Sequence, residues 1–233
     1  MSRKLWPPLI DGRWLDTHRL IPDAYATQDR PFLADLGTDN ELDALAELTA
    51  ATNARLLTQD GRSTVAIEPQ ELVFDLSHTQ VINGAFTYPG LDGARFSDRT
   101  RGAWYAATDV TTSLAEVTFH KNLEWAEIDR WHERAVYVDY IADIAGPGFA
   151  DLTGTEVRTR RCLQPGVATY VHGQQLAREL LPRGASGVVY PSVRRPAGTC
   201  IACFRPALLT PVAQGASYVL TWSGAPQPTV TRE

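Results

Sequence analysis

Apolar and polar positions change period several times along this 233-residue chain. From Thr38 to about Leu57 the spacing is helical, with Leu42, Leu45, Leu48 and Thr49 on one face behind a capping candidate at Asp39. Residues 1–35 carry scattered Pro and Trp with no clear period, and are expected to be irregular. Short runs at Glu71–Leu76 and Val81–Tyr88 read as strands, as does GAWYAAT over 102–108. The segment from Thr112 to about Trp125 predicts a helix. RAVYVDYIA (134–142) alternates, with Val136, Val138 and Tyr140 on one side. Ala168 to Leu181 predicts a second helix, stopped by Pro182 and Gly184. Strands are then expected at 186–192, 199–205 and 217–222, and the tail from Pro226 is expected to fray.

Many strands with a few interposed helices, and no regular strand–helix alternation, predict an α+β fold. Composition agrees with one generous globular domain: 44% hydrophobic and 21% charged residues exclude a disordered tail. No apolar run approaches the roughly 18 residues of a membrane span. The opening MSRKLWPPLIDGRW has no apolar core to act as an export signal, so a cytoplasmic protein is expected. A net charge of −5 argues against nucleic acid as the main ligand, because phosphate backbones require a basic surface.

Three cysteines, Cys162, Cys200 and Cys203, are too few for a disulfide framework. Cys200 and Cys203 have zinc or redox spacing but lack a second ligand pair, and three residues apart on a strand they face opposite ways. They read as strand packing. Glu116 and His120, four apart, read as an exposed helix-face pair rather than metal ligands. No metal is expected. The sequence contains no G-x-S-x-G, no phosphate-binding P-loop and no G-x-G-x-x-G.

Four residues stand out together: Arg95, Tyr105, Glu116 and Ser192. Each has an ordinary reading: a loop cation, a core aromatic, the partner of Ser113 in an S-x-x-E capping box, and a turn serine. The surrounding phrases point elsewhere. ARFSDRTRGAWYAATDVTTSLAEVTFHK resembles the central motif of the RES domain family, with tyrosine ten residues after arginine and glutamate eleven after tyrosine. GVVYPSVRRPAGTCIACFRP (187–206) is similar to the family's serine-bearing strand–turn–strand, and TNARL (52–56) to a phrase upstream of the core in longer members. The resemblance covers roughly residues 75–210. It implies an N-terminal extension over 1–70, with a helix packed on the core, a RES domain over 71–225 and a short tail over 226–233.

The same resemblance implies a compact fold similar to the ADP-ribosyltransferase toxins, with NAD+ as substrate and Arg95, Tyr105, Glu116 and Ser192 at the active-site positions. The chemistry suits these side chains. Cleaving the nicotinamide–ribose bond leaves an oxocarbenium-like sugar and a neutral leaving group, so one carboxylate, Glu116, suffices. Arg95 offers a planar fork for the pyrophosphate or a ribose oxygen. Tyr105 offers a face to the cationic nicotinamide, and Ser192 a hydrogen bond to orient the carboxamide or Glu116. The resemblance further implies a cytoplasmic toxin restrained by an Xre-like helix-turn-helix antitoxin that plugs the cleft. The acceptor of ADP-ribose stays open among water, phosphate and a protein side chain. The alternatives are a mono-ADP-ribosyltransferase for one bacterial protein, and a non-catalytic nucleotide-binding module.

Overall fold

The computed structural model describes residues 6–26, 66–74, 76–90, 92–154 and 157–233. Among these, seven strands form one sheet: β1 (Leu9–Pro22), β2 (Trp104–Ala107), β3 (Arg134–Asp151), β4 (Gly187–Pro191), β5 (Thr199–Cys203), β6 (Leu209–Thr221) and β7 (Thr229–Arg232). Five helices accompany them: α1 (Asp23–Ala26), α2 (Thr79–Thr87), α3 (Val110–Glu127), α4 (Val157–Cys162) and α5 (Tyr170–Leu180). The class is α+β, as the pattern predicts. Only β3 and β4 pair in parallel among the described strands.

The strand order is β1-β2-β5-β4-β3-β6-β7, and a further ladder joins β1 to β3. Five strands therefore close a ring. The 18-residue β3 makes this possible, with β1 along one edge and β6 then β4 along the other. Alternation along the strands sorts side chains into separate cores. Trp104, Tyr140, Ile144, Phe149, Val189, Ile201 and Cys203 share one core with Ile82 and Phe86 of α2. Tyr190, Val188, Cys200 and Ala202 pack on the opposite face with Leu176, Ala177 and Leu180 of α5. Tyr137, Tyr218, Leu220 and Trp222 form a third cluster beneath Leu114, Val117 and Trp125 of α3. Cys200 and Cys203 thus do face opposite ways, both buried free thiols.

Several expectations need correction. Residues 9–22 are not irregular but form β1, paired with β3 from Leu9↔Ala150 to Pro22↔Tyr137. Val81–Tyr88 belongs to a helix: Ile82, Asn83, Phe86 and Thr87 are the buried positions of α2, a helical spacing. The run Glu71–Leu76 shows no strand among its described residues. It opens with the single turn Pro69–Glu71, and the Val73 backbone bonds the Asn83 side chain, N–H to Oδ1 at 3.1 Å and O from Nδ2 at 2.8 Å. That amide stands in for a neighbouring strand. The end of the chain is not frayed, because Thr229–Arg232 pairs with Tyr218–Thr221. The helix expected over 38–57 lies outside the described residues.

Candidate active site

β1 changes its facing part-way along. Leu15 and Asp16 together oppose Asp143, Asp16 takes φ 48°, and its N–H donates to Asp143 Oδ1 at 2.9 Å. One extra residue in a strand reverses which side chains face the core. Trp14, before the bulge, packs edge-on against Phe149 of the first core. Beyond it, Arg19 lies over the Trp104 ring of that core at 4.9 Å, while Leu20 joins the third cluster. β1 then meets β2 at one residue pair, His18↔Ala107. A cavity of about 230 Å³ lies beside these strands, and Arg95, Tyr105 and Glu116 are among the residues that line it.

Glu116 reaches it from α3. The N-cap of that helix is Asp109, whose Oδ1 accepts from Thr112 N at 2.9 Å. The capping box expected at Ser113 does not form. Ser113 is already helical and donates Oγ–H to the His18 carbonyl at 2.7 Å, tying α3 to β1. Glu116 is free of capping and accepts from Ser192 Oγ at 2.8 Å. Ser192 Oγ in turn accepts from the N–H groups of Arg194 and Arg195, each at 3.1 Å. The turn carrying Ser192 lies against the start of α3 because Gly198 has no Cβ, which would stand 2.5 Å from Thr112 Oγ1.

Arg95 is buried at 5% exposure. Its Nη1 donates to the carbonyls of Cys162 and Gln164 at 2.8 and 2.9 Å, and its guanidinium covers the Tyr170 ring at 4.7 Å. Nη2 is buried without a partner among the described residues. No described carboxylate forms an ion pair with this cation. Gly173 of α5 permits the packing, since a Cβ there would stand 2.1 Å from the Arg95 carbonyl.

The Tyr105 hydroxyl accepts from Phe96 N at 2.8 Å and shares a proton with Ser97 Oγ at 3.1 Å, which fixes the ring. Burial raises its phenol to about 12. The structure therefore brings Arg95, Tyr105 and Glu116 to one cavity. Ser192 stands behind Glu116 and does not line the wall.

A protein-family model described as the RES domain matches residues 72–223. The chain belongs to the RES domain family. No curated protein matches it. Among solved structures it is similar to a chain of the M. tuberculosis MbcT–MbcA toxin–antitoxin complex, at 12% identity and a TM-score of 0.44, over 91% of this chain and 87% of that one.

Sequence reasoning passed over Arg194, which stands against Glu116, and Arg19, which lines the cavity of this RES chain. Arg19 shares it with a larger adjoining groove of about 660 Å³, which Tyr25 and Tyr88 also line. Arg19 donates Nη1–H to the Tyr105 carbonyl at 3.2 Å, leaves Nε buried without a described partner, and is brought down to about 10 by burial. Arg194 lies over Phe119 with Cζ 3.3 Å from the ring centroid and Nε 3.9 Å from Glu116 Oε2. Its side chain is 7% exposed, and neither Nε nor Nη2 has a hydrogen-bond partner among the described residues. Glu116 is half-buried and His120 exposed, as a helix-face pair should be, and both also line the cavity. Desolvation lowers the His120 pKa, with Arg194 and Arg95 adding to that and Glu116 opposing it. Among the described residues no group of His, Cys, Asp and Glu is arranged to hold a metal, and no helix is long and apolar enough to cross a membrane.

Proposed function

We propose that this RES-domain chain is a toxin that cleaves the nicotinamide–ribose bond of NAD+ and passes ADP-ribose to water, phosphate or a protein acceptor. The observation that carries this reading is the Glu116 carboxylate, held by Ser192 at 2.8 Å in a cavity it shares with Arg95 and Tyr105. A carboxylate fixed beforehand in a partly dry cleft stabilises a developing sugar cation without reorganising during the reaction. Glu116 faces the ribose. Tyr105, its hydroxyl already engaged, gives its ring to the nicotinamide. Arg95 brings a buried positive charge that no described carboxylate pairs, suited to the pyrophosphate.

The dimensions support this division. About 230 Å³ is below the roughly 300 Å³ at the low end of ligand pockets. It suits one ring with its sugar, and the adjoining groove, entered past Arg19, has room for the adenosine end. An enzyme that drains NAD+ harms its own cell, so the proposal includes a cytoplasmic location and an Xre-like antitoxin that covers the cleft.

Purified chain incubated with NAD+ is expected to release nicotinamide, followed by chromatography with and without inorganic phosphate. NAD+ that binds and stays intact would identify a non-catalytic module and refute the proposal. Mass spectrometry of a bacterial lysate supplied with labelled NAD+ separates free ADP-ribose from labelled protein.

A further inference from the structure

His18 lines the cavity beside Glu116, and its Nδ1 is hydrogen-bonded to Asp139 Oδ2 at 2.7 Å. Asp139, on β3, is 2% exposed, and its Oδ1 has no described partner. Among the described residues nothing bonds the other ring nitrogen, Nε2, although the His18 side chain keeps 21% exposure. Its backbone is held by the Ser113 hydroxyl and by pairing with Ala107 of β2 and Ile141 of β3. The bulge at Asp16 puts His18 and Leu20 on one face of β1, and Leu20 pairs with Asp139, so ring and carboxylate meet across the ladder. A buried carboxylate on one imidazole nitrogen fixes the tautomer and leaves a lone pair on the other.

We infer that His18, oriented by Asp139, is the general base that deprotonates a hydroxyl-bearing acceptor in this cleft. The inference rests on the reading that NAD+ is cleaved here. Glu116 is poorly placed for this second task, since its Oε1 is engaged by Ser192 and its Oε2 faces Arg194. With water as acceptor, the bond between ribose C1 and the nicotinamide nitrogen breaks and its electron pair leaves on nicotinamide. The water oxygen bonds to C1, its O–H breaks, and the proton passes to Nε2 and then to solvent. His18 is the catalytic residue of this step, and Asp139 is a positioning residue.

A phosphate dianion brings an anionic oxygen and has no need of the base, which supplies the test. Release of nicotinamide from NAD+ is followed for the full chain in phosphate-free buffer and with inorganic phosphate. His18→Ala is expected to lose hydrolysis by about a hundredfold or more, with partial rescue by added imidazole. Its phosphate-supported turnover stays within severalfold of the unmodified chain. His18→Gln, which keeps a donor towards Asp139 and has no basic nitrogen, loses hydrolysis similarly while its circular dichroism is unchanged. Asp139→Asn lowers the hydrolytic kcat with KM for NAD+ unaltered. Variants that hydrolyse normally, or that lose both acceptors equally without imidazole rescue, overturn the inference. An unmodified chain that turns over only with phosphate sinks this inference alone. One that releases no nicotinamide with either acceptor sinks the proposed function as well.

Discussion

Two arginine-rich sites on this molecule are built oppositely. In the first, Arg101 donates to both oxygens of Glu71 at 2.7 and 2.8 Å and to the carbonyls of Ala66 and Phe204, and Arg205 adds a bond to Glu71 at 2.6 Å. Of the buried side-chain atoms described there, the Arg101 Nε lacks a hydrogen-bond partner. Burial alone would raise the Glu71 carboxyl, but the bonds from Arg101 and Arg205 more than reverse this and hold it at about 2. In the second, the cleft, Arg95 and Arg19 meet carbonyls and aromatic rings, with no described carboxylate in ion-pair range. Arg194 approaches Glu116 no closer than 3.9 Å. A cation with its counter-charge in place ties segments together. One buried without a counter-charge is costly to fold and keeps its attraction for an anionic ligand. The first site serves stability, and the second, on the proposed function, is poised for a substrate.

That contrast can be broken from either side. The largest effect is expected in the cleft: Glu116→Gln should cut nicotinamide release by about a thousandfold or more while leaving the melting temperature unchanged or higher. Unimpaired turnover would remove Glu116 from its assigned role. Glu71→Ala should do the reverse. It strands two cations, and because the Glu71 side chain is 22% exposed, the loss is put at about 2–3 kcal/mol rather than the full value for a buried pair. Urea unfolding measures it, and activity per folded molecule should persist. Ser192→Ala removes a hydrogen bond to a charged group, a loss of roughly 1.5–3 kcal/mol, seen as a tenfold to hundredfold lower kcat rather than as instability. The smallest effect concerns acid. Glu71 is depressed from 4.5 to about 2, so its contribution is complete above about pH 4.5 and disappears as pH falls towards 2. Unfolding free energies measured across that interval should fall less steeply for Glu71→Gln. Equal slopes would remove Glu71 from the acid response.

Much of the second half of the chain was legible because its patterns are local. The alternation in RAVYVDYIA and the helical stretch after Thr112 need only one element each to be recognised, and β3 and α3 contain them. The grouping of Arg95, Tyr105 and Glu116 was carried by the resemblance to the RES domain motif rather than by spacing; β2 and α3 follow one another and carry Tyr105 and Glu116 to the same cavity. Misreadings occurred where a tertiary partner replaces a local rule. The run 81–88 contains β-branched and aromatic residues, yet the core beneath it accepts a helix. Ser113 matched a capping signature, but Asp109 took the cap and Ser113 bonds a carbonyl 95 residues away.

From its own residues, the chain determines an α+β class and the opposite facing of Cys200 and Cys203, whereas the grouping of Arg95, Tyr105 and Glu116 came from its likeness to the RES domain family. Side-chain periodicity and short spacings are local properties, so the order of amino acids suffices for them. Tertiary structure decided the rest of the cleft. A single extra residue at the Asp16 bulge decided which face of β1 His18 takes and which Arg19 takes, and closure of the strand ring brought them beside residues about ninety positions later. Neither the bulge nor the closure has a local signature. Both arise because β3 supplies hydrogen bonds along two edges, and only the completed sheet satisfies them.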